Sequence, residues 1–196
     1  MVQQKEVPMK QFAHTRSVVI TAFFAAVVYL GIQVFRIPMP AAVGTPFLHF
    51  GHIFVVLAIL CLGPKGSAVA GILGLVIFDV LNAYMHAIPN VFVCTLIECL
   101  VAGNLFLLLK RSADGNTKRE YGFAIVCAVA YGLMNIVLDF SWNTVSLVIM
   151  GSSVKAAIAA ELTAIPATVI NSVFTVVGIA VLYPPVKAAY RRAIKE

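Results

Sequence analysis

Four acidic residues, Asp79, Glu98, Asp139 and Glu161, lie within or at the ends of long apolar runs, and each has polar company at helical spacing. In LVIFDVLNAYMH, residues 75 to 86, Asp79, Asn82 and His86 fall on one helix face. Asn90, Cys94 and Glu98 are each four apart, Tyr131, Asn135, Asp139, Trp142 and Asn143 form a third stripe, and Glu161, Thr168, Asn171 and Thr175 a fourth. An ionisable side chain in hydrocarbon costs at least about 2.5 to 3.5 kcal/mol, so these groups should face a bundle interior or water. Four at a similar depth could line a polar cavity. The alternative is that they hydrogen-bond one another between helices, a use worth about 0.6 kcal/mol on average. Carboxylates favour a ligand that is cationic or rich in hydrogen-bond donors, and disfavour a polyanion.

Other reactive types carry less. His49 and His52, three apart in LHFGH, could ligate a metal with a carboxylate, but the spacing equally fits a loop entering a helix, and we assign no metal or cofactor. Cys61, Cys94, Cys99 and Cys127 sit in apolar segments without CxxC spacing and read as buried small hydrophobes. There is no HExxH and no nucleophile elbow, which argues against the rival reading of an intramembrane metal-dependent enzyme. GPKGS is too short to cradle phosphates as a P-loop does, so any ATP hydrolysis belongs to other subunits.

The elements that must position these residues are membrane spans. Of 196 residues, 61% are hydrophobic and 11% charged, and several apolar runs approach the roughly 20 residues that cross a bilayer. The expectation is an all-α membrane protein, a single domain over residues 1–196, with six transmembrane helices at about 17–36, 50–63, 66–84, 89–110, 120–142 and 159–182. The first run is longer than a signal-peptide hydrophobic region and reads as a retained span. The second is short and could be re-entrant; charge argues that it crosses. With six crossings and both termini cytoplasmic, the inner side collects Lys5, Lys10, Arg16, Lys65, the Lys110 to Arg119 group and the C-terminal cations, leaving only Arg36 and Lys155 outside. The net charge of +6 is thus a topology signal, not a nucleic-acid footprint. All four intramembrane acids then fall toward the outer half; Asp79, for example, lies about 20 Å of helix beyond Gly66.

Gly63, Pro64 and Gly66 make a tight inner turn, and Ala70, Gly71 and Gly74 give the following span a small-residue face. Ala22, Ala25 and Ala26 give the first span another, for internal packing or for docking a partner. The loop IPMPAAVGTPFLHF, residues 37 to 50, is held extended by three prolines. It could cover an outer cavity or be an ordinary connection. Tyr84 and Trp142 could anchor the membrane interface, or Trp142 could stack on a flat ring.

IPMP, the GPKG turn, the AGILG face and Asp79, in that order between residues 36 and 104, resemble the substrate-binding S components of energy-coupling factor (ECF) vitamin transporters. In particular they resemble the broad riboflavin-type S-component family, which also contains hydroxymethylpyrimidine and pyridoxine members. The resemblance implies an S-component-like helical bundle in the bacterial cytoplasmic membrane that binds a vitamin or its precursor from outside. Its partners would be the ligand, the lipid bilayer, a coupling transmembrane subunit and two ATPase subunits, with no nucleic acid. It further implies a pocket built from Asp79, Asn82, Tyr84, Glu98, Asn135, Asp139, Trp142, Asn143 and Glu161, to which helical spacing adds His86 on the face of Asp79. A lid would contain Pro46, Phe47 and His49, and the coupling subunit would dock on Ala22, Ala25 and Ala26. The acidic, aromatic composition suits pyridoxine-type vitamin B6 or a hydroxymethylpyrimidine; riboflavin or another vitamin is the alternative ligand. A self-sufficient secondary transporter is the rival of a different class, and would more usually show paired, interrupted helices in two related halves.

Overall fold

A computed structural model describes residues 9–195. Lys5, counted above among the inner cations, lies outside the described residues, as do the side chains of Lys10 and Lys195. The element order is α1 (Met9–Gln33), β1 (Ile37–Pro38), β2 (Phe47–Leu48), α2 (Gly51–Leu81), a 3-10 turn (Met85–Ala87), α3 (Ile88–Arg111), α4 (Thr117–Ile149), α5 (Val154–Leu162) and α6 (Ile165–Lys195). Among the described residues, five segments are long and apolar enough to cross a membrane: Thr15–Gln33, Gly51–Leu81, Met85–Arg111, Thr117–Ile149 and Ile165–Ala193.

The expected second and third spans are joined in α2, but not as a straight rod. Gly63 interrupts it at φ 76° and ψ −176°, a conformation glycine adopts without a Cβ penalty. Pro64 follows, where a helix restarting after Gly63 does not need its N–H. A Cβ at Gly71 would lie 3.4 Å from the Val55 side chain. In a straight helix those residues would be about 24 Å apart along the axis, so the arms 51–62 and 64–81 fold back against each other. The second arm also packs on α1 with no room to spare: a Cβ at Gly74 would stand 2.6 Å from the Ala25 carbonyl oxygen and 2.7 Å from Val28 Cβ.

The expected span from 159 to 182 is instead two helices. Pro166 has no N–H to continue the hydrogen-bond ladder to Leu162, and α5 ends there. Glu161 therefore stands on α5, separated by a break from Thr168 and Asn171 on α6. Farther along α6, Pro184 leaves the Ala180 carbonyl without its helical partner, and the Tyr121 hydroxyl of α4 donates to it at 2.9 Å. Helix α4 is capped by Asn116, whose side chain accepts from the Lys118 and Arg119 N–H groups, and it runs on to Ile149, past the expected end at 142.

A buried apolar core joins α1, both arms of α2, α3, α4 and α6 and includes Val28, Leu57, Ala70, Phe78, Cys99, Phe106, Ala128 and Ile179. All four cysteines are free. At one end of the bundle a single carboxylate ties three helices. Glu120 of α4 bonds Lys187 of α6 at 2.6 Å, accepts from the Tyr183 hydroxyl at 3.0 Å, and lies 3.4 Å from Lys110 of α3 and 3.7 Å from Arg191. The opposite end is open.

Candidate functional site

At that opposite end the second arm of α2, the first half of α3, the last third of α4, α5 and the start of α6 surround a cavity of about 540 Å³. This is within the usual range for small-molecule sites. The loop between α1 and α2 crosses it as a two-stranded hairpin, with Ile37 opposite Leu48 and Pro38 opposite Phe47. Pro46, Phe47 and His49 of that hairpin line the cavity.

The structure brings together most of the residues that the stripes predict. Asp79, Tyr84, His86, Glu98, Asn135, Asp139, Trp142, Asn143 and Glu161 all line the cavity, and its lining contains no lysine or arginine. Asp79, Glu98, Asn135 and Glu161 are buried, Asp139 and Trp142 are partly exposed, and His86 is exposed at the rim. Asn135 donates to Glu98 Oε1 at 2.9 Å. Burial pushes the Glu161 carboxyl upward, against the pull of a hydrogen bond from Asn143. Asp79 differs from the others. Its Oδ2 is buried and has no hydrogen-bond partner among the described residues. An unsatisfied buried acceptor costs about 1 to 3 kcal/mol, which a ligand's N–H or O–H would recover.

Asn82 takes another place. It is not in the cavity lining; its side chain accepts from Arg36 at 3.2 Å and donates to Gln33 at 3.0 Å and to the Phe78 carbonyl at 2.9 Å. The helical stripe fails at this point because α2 ends at Leu81 and the chain turns at Ala83, φ 62°. Arg36, so held, lies 5.8 Å from the Phe47 ring centroid and 5.6 Å from that of Phe78, behind the cavity wall. The wall itself is aromatic. Phe78 stacks on Tyr84 at 6.0 Å and 17°, Phe47 touches both, and the series continues through His49 and His52 to Tyr131. Rings and carboxylates lining one cavity suit a flat ligand with donors at its edge.

The histidines are engaged within the protein. The Gly51 N–H donates to His49 Nδ1 at 3.1 Å, and His52 Nδ1 shares a hydrogen bond with the Tyr131 hydroxyl at 2.8 Å. Burial, and after it the neighbouring His52, holds the His49 pKa well below its ordinary value. Among the described residues no group of three His, Cys, Asp or Glu side chains converges to hold a metal.

Two further polar side chains fasten the hairpin. Asn171 of α6 accepts from the His49 backbone N–H and donates to the Phe47 carbonyl, each at 3.0 Å, so its amide acts as a neighbouring strand would. The Ala42 N–H donates to Thr163 Oγ1 at 2.8 Å. Asn171 was visible only as a member of a stripe, and its contact with a loop more than 120 residues away left no sequence signal. On α1, Ala22 and Ala26 are exposed, whereas Ala25 is buried against α2.

The sequence profile of the family described as "ECF-type riboflavin transporter, S component" matches residues 12–191. Two solved structures share the fold. One is ThiT from Listeria monocytogenes, 15% identical, with a TM-score of 0.62 over 92% of this chain and 98% of that one. The other is the S component for biotin from an ECF-type ABC transporter, 16% identical, with a TM-score of 0.57 over 90% and 95% of the two chains. No curated protein sequence matches.

Proposed function

The chain belongs to the ECF-type riboflavin transporter S-component family, a membrane-embedded transport component, and on that basis we propose that its cavity binds a small, flat, donor-bearing heterocyclic vitamin or vitamin precursor. Pyridoxine-type vitamin B6 or a hydroxymethylpyrimidine is the ligand class favoured. The observation that carries this reading is the buried, unpartnered Asp79 Oδ2 in a cavity lined by four carboxylates and an aromatic wall, without a lysine or arginine. Asp79 accepts from the ligand's edge, Trp142 and Tyr84 cover its faces, and Asn135, Asp139, Asn143 and Glu161 complete the polar side. Glu98 acts through Asn135, and His86 guards the rim. Asn82 supports the wall through Arg36. Riboflavin is the second reading, favoured by the description of the matched family and by a volume ample for more than one ring.

The remaining assignments are part of the same proposal. One membrane domain crosses six times, the two arms of α2 counting separately, with both termini and the Glu120 cluster cytoplasmic and the cavity facing outward. The fold-back at Gly63 and the cations around Glu120 support this orientation. The hairpin with Pro46, Phe47 and His49 is the lid. Ala22 and Ala26, exposed at i and i+4, meet the coupling subunit, while Ala25 fixes α1 against α2. Two ATPase subunits supply the energy.

Purified protein in lipid nanodiscs, titrated with pyridoxine, hydroxymethylpyrimidine and riboflavin, tests the assignment. Removing a hydrogen bond to a charged group costs about 1.5 to 3 kcal/mol, so Asp79→Ala should weaken the preferred ligand by roughly ten- to a hundredfold. If Asp79→Ala and Asp139→Ala both left affinity unchanged, the acidic pocket would not be the binding site.

A further inference from the structure

We propose that the groove between the start of α4 and the end of α6 binds an anionic phospholipid, with the phosphate on Lys118 and Arg191 and an acyl chain along Tyr121, Pro184 and Ala188. The groove encloses about 560 Å³. Along α4, Tyr121 precedes Asp139 by about 27 Å of helix, so the groove lies at the opposite membrane boundary from the ligand cavity and shares no residue with it.

Charge and wall chemistry together select this occupant. Lys118, Lys187 and Arg191 line the groove, and Glu120, the carboxylate that pairs with this cluster among the described residues, is shared among Lys187, Arg191 and Lys110. Positive charge is left over. Lys187 is largely buried and spent on Glu120 at 2.6 Å, but the Arg191 side chain is 54% exposed and only 3.7 Å from its partner, leaving guanidinium donors for another anion. Lys118 is exposed and its side chain makes no ion pair among the described residues. An arginine and a lysine at a membrane boundary are a phosphate-binding pair.

The walls below those cations suit a hydrocarbon chain. Both phenols are consumed internally, Tyr121 on the Ala180 carbonyl and Tyr183 on Glu120, so they turn ring surface and not hydroxyls to the groove. Pro184 contributes no N–H, and the carbonyl it would have left open is already satisfied by Tyr121. A peptide would need backbone partners that such a wall does not offer.

The test is native mass spectrometry of detergent-purified full-length protein titrated with phosphatidylglycerol and with phosphatidylcholine of the same chains. Wild type should retain phosphatidylglycerol severalfold better. Each cation near the surface accounts for about fivefold, so the double variant Lys118→Gln/Arg191→Gln should retain phosphatidylglycerol no better than phosphatidylcholine. Ala188→Trp, which fills the groove and keeps every charge, should abolish the preference as well. The thermal unfolding midpoint in detergent should stay close to that of wild type in all variants, which shows that they are folded. Equal retention of the two lipids, or a phosphatidylglycerol preference that survives Ala188→Trp, would overturn the proposal. So would displacement of the lipid by millimolar inorganic phosphate, which would mark a simple anion site. Exclusive cross-linking of Ala188→Cys to a coupling subunit, with none to a photoactivatable phospholipid, would give the groove to a protein partner instead.

Discussion

Asn171→Ala should convert a slowly releasing site into a fast one. The Asn171 amide makes two hydrogen bonds of 3.0 Å to the backbone on either side of Leu48, and both hold the hairpin that lines the cavity. Each is worth about 1 kcal/mol net, and the substitution removes both. The closed hairpin then loses about 2 kcal/mol relative to the open one, roughly thirtyfold in the equilibrium. Asn171 also lines the cavity, but its amide oxygen and nitrogen are both engaged with the hairpin backbone, so the effect should fall on dissociation. Trp142 is the only tryptophan of the chain and lines the cavity, which makes its fluorescence a reporter for stopped-flow measurement in nanodiscs. The dissociation rate should rise by about ten- to thirtyfold with the association rate within about twofold. Asn171→Asp keeps the acceptor but loses the donor, and should fall between. An unchanged dissociation rate, or a loss of affinity carried entirely by slower association, would refute the role of Asn171 as the hairpin's fastening.

Three other outcomes follow from the same geometry. His49 is held neutral when the hairpin is closed, so its pKa rises toward the ordinary value near 6.5 on opening; as pH falls below about 6.5 the open form gains protons and ligand affinity should decline, and this component should vanish in His49→Gln when the two pH titrations are compared. Gly74→Leu forces side-chain atoms into the Ala25 carbonyl and Val28 and should lower stability by about 1 to 3 kcal/mol, whereas Gly122→Ala, where a Cβ meets nothing within 4 Å, should be neutral or slightly stabilising in thermal unfolding. Glu120→Gln strands a largely buried Lys187 and should cost about 3 kcal/mol, read as a lower unfolding midpoint in detergent with ligand affinity retained in the surviving folded fraction.

How much of this could be read in the sequence varied with the distance over which each feature is determined. The acids stood out because hydrocarbon surroundings make an ionisable group costly, and their stripes placed Asp79, Glu98, Asp139 and Glu161 around one cavity. The reversal at Gly63 and Pro64 was equally local: a positive φ and a missing N–H are properties of those two residues. Asn82 was misplaced by extending a helical period past the end of its helix, where Ala83 turns the backbone. The α5 to α6 break was signalled by Pro166, but apolar content on both sides masked it as one span. Small residues marked a packing surface on α1 without telling which of them faced inward; only the α2 contact separates Ala25 from Ala22 and Ala26. Asn171 on the hairpin and Tyr131 on His52 join segments far apart in the chain, and no periodicity within either segment encodes such a contact.

The most direct measurement is native mass spectrometry of the protein extracted gently from its own membrane, followed by release and mass identification of what it carries. A cavity with four carboxylates, an unpartnered Asp79 Oδ2 and no lining cation predicts one small neutral or cationic heterocycle per chain, at the mass of unphosphorylated pyridoxine or a hydroxymethylpyrimidine, and depleted in Asp79→Ala. A phosphate ester, a dicarboxylate or another anion bound in that cavity, retained in Asp79→Ala, would contradict it.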